Sequence, residues 1–585
     1  MTDHRLLYDR ECAFCSYMVA YARAVTGDRV EYVGYQDALD EYPDISEAQF
    51  RASIYLFSNG DVASGAGAAF RTLAIGGRDA WLTGYERIPG FAAVAEFLYR
   101  FVSRHRAVFA RLANWLFGPA LRPAVHDQVA RILTTGIGLC ALIAFVSFWW
   151  QAEALIGDQG VLPYRYFLDA VYDQYSESAY WWVPTFAWLG GSDLMLHGLC
   201  ALGSAASVML LIGRLRASAA LIAYLCYLSL VSIGQTFTAF QWDTLLLECL
   251  IVAVIAARVP GWGIWTARLL LLRFMLLSGA VKLLSGDPTW ADGSALEFHF
   301  ETQPLPTSLA WYADQLPVLV LQAGVWMTFF IELVLPFFIL LPQRPRLVAG
   351  AGFILLELLI GLTGSYNFFN LLTMVLCIAL LNDRNAQRSV EQHKRIPSRT
   401  LAGVLMLSGL LVTGCSLLRE PSPGPLASLQ PFHMVNTYGL FAVMTTQRRE
   451  LVVEGSLDGE EWQRYEFPFK PGRTDQAPRL ATPYQPRLDW QMWFAALGEP
   501  RHAPWIYDFV QTLLEARTPV LGLVQSPFSD QKPEFIRILS YRYQFTSPQE
   551  RKASGNWWRA EDPQVWLEPV RLRRPVIRHE PLTLD

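Results

Sequence analysis

Between residues 129 and 418 the chain is a series of apolar runs broken by short loops, most runs close to the about 20 residues that cross a bilayer. Nothing constrains a fold more. In hydrocarbon every backbone polar group must be satisfied within the segment, so such runs become helices. Candidate spans fall near 130–150, 193–213, 217–236, 243–257, 264–285, 317–341, 346–363, 367–381 and 400–418, about nine, the eighth of them short. Tyr180–Leu189 is apolar and Trp-rich but too short to cross, which suits an interface. Only 17% of the 585 residues are charged, against about a quarter in a soluble protein, and the deficit is concentrated in this central region. Both flanks read as ordinary globular sequence, giving expected domains at 1–120 and 430–585 around a helical core at 129–418.

Arginine and lysine alternate between loops, which sets the expected orientation. Arg104, Arg106, Arg111, Arg122 and Arg131 precede or open the first span, whereas the next loop carries Glu153, Asp158, Asp169, Asp173 and Glu177. Arg214 and Arg216, then Arg258 and Arg268, then Arg344 and Arg346, then Arg384, Arg388, Lys394, Arg395 and Arg399 mark the following basic loops. The long 286–316 loop has neither Lys nor Arg. The pattern predicts a cytoplasmic N-terminus and a C-terminal domain on the outside. No charged n-region precedes an apolar stretch at the start, so no cleaved signal peptide is expected. A net charge of −4 gives no reason to expect a nucleic-acid partner.

Of eight cysteines, Cys140, Cys200, Cys226, Cys249, Cys377 and Cys415 lie in or beside apolar segments, as packing residues do. Cys12 and Cys15 are different. A short strand at Arg5–Tyr8 leads through Asp9 into Cys12-Ala13-Phe14-Cys15 at the start of a helix reaching about Val25. Unpaired N–H groups at a helix start stabilise a thiolate, so Cys12 is the expected attacking sulfur and Cys15 the resolving thiol. A zinc site needs four ligands and no second pair is present. This motif, the strand Ile54–Phe57 with its Asn59-Gly60 turn, and Phe101–Arg106 resemble the DCC family over residues 4–118. The resemblance implies a thioredoxin-like α/β fold and thiol-disulfide oxidoreductase chemistry. No proline precedes Ile54, where thioredoxins place one, so a non-catalytic domain is the competing reading.

Ionisable residues inside spans are functional candidates, because placing them there is costly. Asp243, Glu248 and Lys282 fall in the outer parts of their spans, and the 286–316 loop adds Trp290, Asp292, His299 and Glu301. Asp243, Glu248, Lys282 and His299 are expected to form one cluster, with Glu332 and Glu357 deeper and Arg273 toward the cytoplasmic half. His299 and Glu301 lack a third partner for a metal, so no metal site is expected. The C-terminal flank alternates apolar and polar residues at Glu450–Glu454 and Phe535–Leu539 and has turns at Asp458-Gly459 and Pro471-Gly472. It reads as mainly β, with a helix near Trp505–Ala516. Its aromatic residues suit either core packing or an apolar client-binding surface.

Gln241–Glu248, Gly286–Trp290, His299–Pro306, Trp311-Tyr312, Tyr366–Leu372, Val435–Met444, Glu454–Gly459, Pro486–Leu497 and Trp557-Trp558 together resemble the lipase maturation factor family over residues 130–570. That implies a multi-pass membrane chaperone that helps secreted lipases, or other exported enzymes, reach an active assembled state; eukaryotic members do so in the endoplasmic reticulum. Candidate binding residues in these motifs are Trp242, Asp243, Glu248, Trp290, His299, Glu301, Asp489, Trp490 and Trp493. Fusion to the DCC-like domain implies a bacterial member of the inner membrane, with membrane lipid and a periplasmic client as partners. The alternative is a membrane thiol-disulfide or quinone-linked enzyme. Ser278–Leu284 followed by Trp290 resembles the vitamin K-dependent carboxylase group, in which such a lysine is a base; that makes Lys282 a catalytic candidate and quinone a conceivable ligand, although no cofactor is expected. Against it stands a structural Lys282, at the interface or paired with Glu248.

Overall fold

The computed structural model describes residues 3–118, 125–383, 396–528 and 531–572. Arg122, Arg384, Arg388, Lys394 and Arg395, used above for orientation, lie outside them. The chain divides into two compact units, Met1–Val125 with Leu340–Val348 and Asn382–Arg384, and His126–Ile339 with Ala349–Leu381 and Asn385–Asp585.

In the first unit, strands β1 (His4–Tyr8), β2 (Glu31–Gly34), β3 (Tyr55–Ser58) and β4 (Asp61–Ser64) form one sheet in the order β2-β1-β3-β4. β1 runs parallel to β2 and antiparallel to β3, so Leu6 sits between Tyr32 and Leu56. The parallel pair requires a crossover, supplied by helix α1 (Ala13–Thr26). Successive strand residues face opposite sides: Leu6 joins Val19, Val30 and Leu56, while Leu7 joins Tyr35, Ala38 and Phe50. Asn59 and Gly60, at φ 51° and 86°, make the tight turn between β3 and β4, a conformation that Asn-Gly favours. Helices α2 (Gly65–Ile75), α3 (Phe91–Arg104) and α4 (Arg106–Phe117) complete this α/β unit.

The helical body contains α5 (Asp127–Ile156), α6 (Asp193–Leu211), α7 (Arg216–Ile233), α8 (Gln241–Arg258) and α9 (Pro260–Leu284). Two short loop helices, α10 (Ala295–Thr302) and α11 (Ser308–Asp314), precede α12 (Val318–Phe329), α13 (Gln343–Thr363), α14 (Phe368–Leu376) and α15 (Ile396–Leu418). Among the described residues six helices are long and apolar enough to cross a membrane: α5, α6, α7, α12 with its extension to Phe338, α13 and α15. The expected nine therefore do not all qualify. The segments 243–257 and 264–285 lie on α8 and α9, where Asp243, Glu248, Arg268, Arg273 and Lys282 depress hydropathy. Both helices pack against several others and bury most of their side chains, so their charges meet protein partners. The segment 367–381 forms the shorter helix Phe368–Leu380.

Two glycines set helix spacing. A Cβ on Gly203 of α6 would lie 2.2 Å from the Phe145 ring of α5, and one on Gly279 of α9 would lie 2.8 Å from Glu332 Cβ. Small residues at such crossings let backbones approach closely. The second approach brings Glu332 to α9.

After α15 the chain forms β5 (Arg448–Ser456), β6 (Gln463–Arg464), β7 (Phe535–Phe545) and β8 (Trp558–Val570), an antiparallel sheet in the order β6-β5-β7-β8. Helices α16 (Arg487–Ala496), α17 (Trp505–Leu514) and α18 (Pro548–Ser554) accompany it. The expected strands and the helix at Trp505 are present, but the region is mixed α and β rather than mainly β. Its extra helix, α16, is buried on nearly all sides, so it shows no polar stripe; Leu488, Trp490 and Met492 alternate with Asp489 and Gln491 at a strand-like period. This region and the helical body are one unit, sharing one continuous core.

Candidate functional site

In the first unit Cys12 is the N-cap of α1, and the Cys15 N–H donates to its sulfur at 3.2 Å. Both thiols are free and half-buried. Burial, then the neighbouring Cys12 sulfur, pushes the Cys15 thiol well above its ordinary range, whereas the Arg106 charge opposes that shift. Arg106 is itself held 3.7 Å from Asp9 and bonds the Ala52 carbonyl and Ser103. A cavity of about 530 Å³, walled by Phe14, Val19, Phe70, Leu98 and Val102, reaches Cys15. The pair is thus arranged as one sulfur capping a helix start and a second thiol one turn on, its pKa raised, beside an apolar recess.

In the second unit the four residues expected to cluster are split among three centres. Asp243 on α8 accepts from Arg487 Nη2 at 2.7 Å and Nη1 at 2.8 Å, and from Tyr227 Oη at 2.5 Å. Neither Asp243 nor Arg487 has more than 1% of its side chain exposed. Glu248, about a turn deeper on α8, pairs with Arg273 of α9 and accepts from the backbone N–H and the Nδ2 of Asn436. Lys282 pairs not with Glu248 but with Glu332, at 2.9 and 2.8 Å to its two oxygens, and also donates to the Ser278 carbonyl at 3.0 Å. The Trp290 ring centre lies 5.4 Å from its Nζ. An ammonium held by both carboxylate oxygens has no free lone pair to act as a base. His299 stands nearby, its ring packed against Phe300 and Phe441. Burial, then the charge on Lys282, lowers its pKa to about 4, so the imidazole is neutral at physiological pH.

The remaining candidates are joints between the C-terminal region and the helical body. Trp242 stacks on Phe240 at 4.3 Å and meets Trp490 edge-on at 4.7 Å. Trp493 Nε1 donates to the Thr302 carbonyl at 2.9 Å, Trp290 Nε1 to the Phe441 carbonyl at 2.9 Å, and the Phe545 N–H donates to Glu301 at 2.9 Å. Burial raises the Glu301 carboxyl. Asp489 accepts the N–H groups of Phe469 and Lys470 at 2.9 and 2.8 Å, and burial raises its pKa to about 6. Apart from half-buried Glu301 and Trp493 these residues are buried, so they present no open surface of their own.

Sequence reading missed the cations that complete these joints. Arg487 is one. Arg448 is another, fully buried, donating to the carbonyls of Glu301, Gln303 and Pro304 just where α10 ends. It thereby satisfies carbonyls that a helix terminus leaves open. Glu450 binds Arg448 and also Lys470 Nζ, at 2.9 Å to the latter. The segment 428–444 is strapped down along its length: Trp181 donates to the Ser428 carbonyl, Tyr224 to the Phe432 carbonyl, and the Met444 N–H to Asp287. The signal was available only in part: each acid in an apolar helix calls for a buried cation, but Arg448 stands in the polar run Thr445–Glu450 and Arg487 beside Gln485 and Asp489, so nothing local marks either as that cation.

Three family models match the chain: the DCC1-like thiol-disulfide oxidoreductase over residues 6–112, the lipase maturation factor transmembrane domain over 128–388, and the lipase maturation factor C-terminal domain over 434–566. The chain is 32% identical to lipase maturation factor 2 of Gallus gallus, over 76% of this chain and 82% of that protein. It is 32% identical to lipase maturation factor 2 of Homo sapiens (76% and 83%) and 31% identical to lipase maturation factor 1 of Homo sapiens (79% and 92%). No solved structure gives a significant match. These relatives are vertebrate, which overturns the bacterial source expected from the N-terminal fusion and removes the ground for a periplasmic outside.

Proposed function

The chain belongs to the lipase maturation factor family, and from that premise we propose that it holds exported lipases while they fold and assemble. The observation that supports this reading is the buried Asp243–Arg487 pair with its flanking Trp242–Trp490 contact. They tie the C-terminal region to the helical body, so in this reading a client bound there is held at a fixed height above the bilayer. The client surface in this reading is the exposed apolar edge beside the buried joint, where Phe494, Leu497 and Tyr507 are each about half exposed. Such residues suit transient contact with partly folded chains.

The orientation we propose counts α8, α9 and the helix Phe368–Leu380 as crossings beside the six long apolar helices, an odd total that keeps the domain at residues 1–120 in the cytosol and the region 430–585 on the opposite, exoplasmic side. Arginine placement supports it, with Arg104, Arg106 and Arg111 before the first span, Arg131 in its first turns and none in the 286–316 loop. The N-terminal thiol pair is then an accessory redox site, kept apart from the lipase client by the bilayer.

The test is secreted lipase activity in cells lacking their own maturation factor, rescued with this chain. Wild type restores activity, Phe494→Asp with Leu497→Asp lowers it without altering membrane level, and Cys12→Ser with Cys15→Ser leaves it intact. Failure of the wild-type chain to rescue overturns the client assignment. Loss of rescue on removing the thiols transfers the function to the oxidoreductase reading.

A further inference from the structure

A second cavity, of about 370 Å³, lies in the helical body beneath the 286–316 loop. Its walls are apolar, formed by residues such as Phe274, Leu321, Ile331, Leu356 and Phe369. Polar groups collect at one side: the Lys282–Glu332 pair, Glu357 accepting from Asn370 Nδ2 at 2.6 Å, and His299. Two of these have unused hydrogen-bonding capacity. Asn370 Oδ1 is buried with no partner, and the His299 ring makes no hydrogen bond among the described residues. A neutral imidazole carries one donor and one acceptor. Glu332 stands on a π-helical turn, Phe330–Val334, that interrupts α12 beside the cavity, and such turns recur at functional sites.

The rim indicates where an occupant enters. Val320 and Met327 on α12 and Leu359 on α13 line the cavity yet are 51%, 50% and 50% exposed. Both helices are long and apolar enough to cross a membrane, so this rim opens toward hydrocarbon. The volume is at the small end of the about 300–1,000 Å³ typical of ligand sites, which fits one chain rather than two. The polar side carries one ammonium against two carboxyl groups and offers no excess positive charge for an anionic head.

We infer that this cavity binds a single-chain neutral lipid, entering from the bilayer between α12 and α13 and seating a hydroxylated head against His299, Asn370 and Glu357. A hydroxyl supplies the donor that Asn370 Oδ1 lacks and the partner that the His299 ring lacks, while the chain lies along the apolar wall. This goes beyond client handling and does not depend on it.

The test uses the full chain in phosphatidylcholine nanodiscs with a photoactivatable monoacylglycerol carrying a diazirine in its chain. Crosslinks are expected on 318–331 and 356–363, and excess unlabelled monoacylglycerol removes them. Leu359→Trp, at the half-exposed rim where the fold tolerates it, blocks labelling. His299→Phe, which keeps a ring, lowers it about tenfold, the effect of losing one buried hydrogen bond. Labelling spread equally over α6 and α7, or unchanged in Leu359→Trp, overturns the site. Equal competition by a fatty acid carboxylate or a short-chain quinone overturns the neutral hydroxylated head.

Discussion

Arg487 Nη1 and Nη2 close on the two carboxylate oxygens of Asp243, 244 residues earlier in the chain, at 2.8 and 2.7 Å. Arg487 Nη1 also donates to the Phe237 carbonyl at 2.6 Å, and its guanidinium lies 5.2 Å from the Phe148 ring centre. Removing one partner of such a pair leaves a buried charge without compensation, which costs about 3–5 kcal/mol, whereas replacing both by apolar residues is often near neutral. Arg487→Met or Asp243→Leu alone is therefore expected to lower the unfolding midpoint of the purified chain sharply, and the double variant to recover most of it. Additive losses in that cycle contradict the pair.

His299 gives a pH dependence of defined sign. Its folded pKa of about 4 lies below the ordinary 6.5, first through burial and then through the charge on Lys282. Between these values the unfolded chain binds more protons than the folded one, so stability rises with pH. The contribution is complete above about pH 6.5 and is lost as pH falls toward 4, amounting to about 3 kcal/mol. Denaturation midpoints measured across this interval should slope in wild type and flatten in His299→Phe.

The geometry around Cys12 and Cys15 makes their single variants unequal. Cys15→Ser leaves the helix-capping sulfur without its resolving partner, so mixed disulfides at Cys12 should accumulate on non-reducing gels. Cys12→Ser leaves only the half-buried Cys15 thiol, whose raised pKa keeps it protonated, and no adduct is expected. Alkylation rates read by mass spectrometry should favour Cys12 by at least about tenfold; equal rates remove the distinction.

Arg448 binds the carbonyls of Glu301, Gln303 and Pro304 from the first strand of the C-terminal sheet. Arg448→Met deprives three carbonyl acceptors and leaves Glu450 with Lys470 as its remaining cation. Hydrogen bonds to charged groups contribute about 1.5–3 kcal/mol each, so residues 301–307 should lose protection in hydrogen exchange well before the helical body does. Unchanged protection there would remove Arg448 as the fastening.

The N-terminal unit was legible because its signals are local: Cys12 and Cys15 one turn apart, Leu6 and Leu7 facing opposite sides of one strand, Asn59-Gly60 in the tight turn. The strands at Glu450 and Phe535 were legible for the same reason. The count of membrane spans was less so, since hydropathy cannot say whether a helix meets lipid or other helices. Asp243 and Glu248 on α8 lower its score, yet α8 is among the most buried helices of the body. The buried partners of the candidate residues were not legible at all. Lys282 finds Glu332 fifty residues on, and Asp243 finds Arg487 far beyond it, at separations that no local pattern encodes.

The late arrival of Arg487 has a consequence for how the protein is made. A ribosome delivers α8, with Asp243 and Glu248, well before Asn436 and Arg487 exist. Until then two acids sit inside a helical assembly with part of their compensation missing, and the body is finished only once residue 487 has been made. A premature stop anywhere between 419 and 486 would leave every span in place and still produce an incomplete interior. Loss-of-function truncations in this stretch are thus lesions of the membrane core, caused by residues that lie outside it.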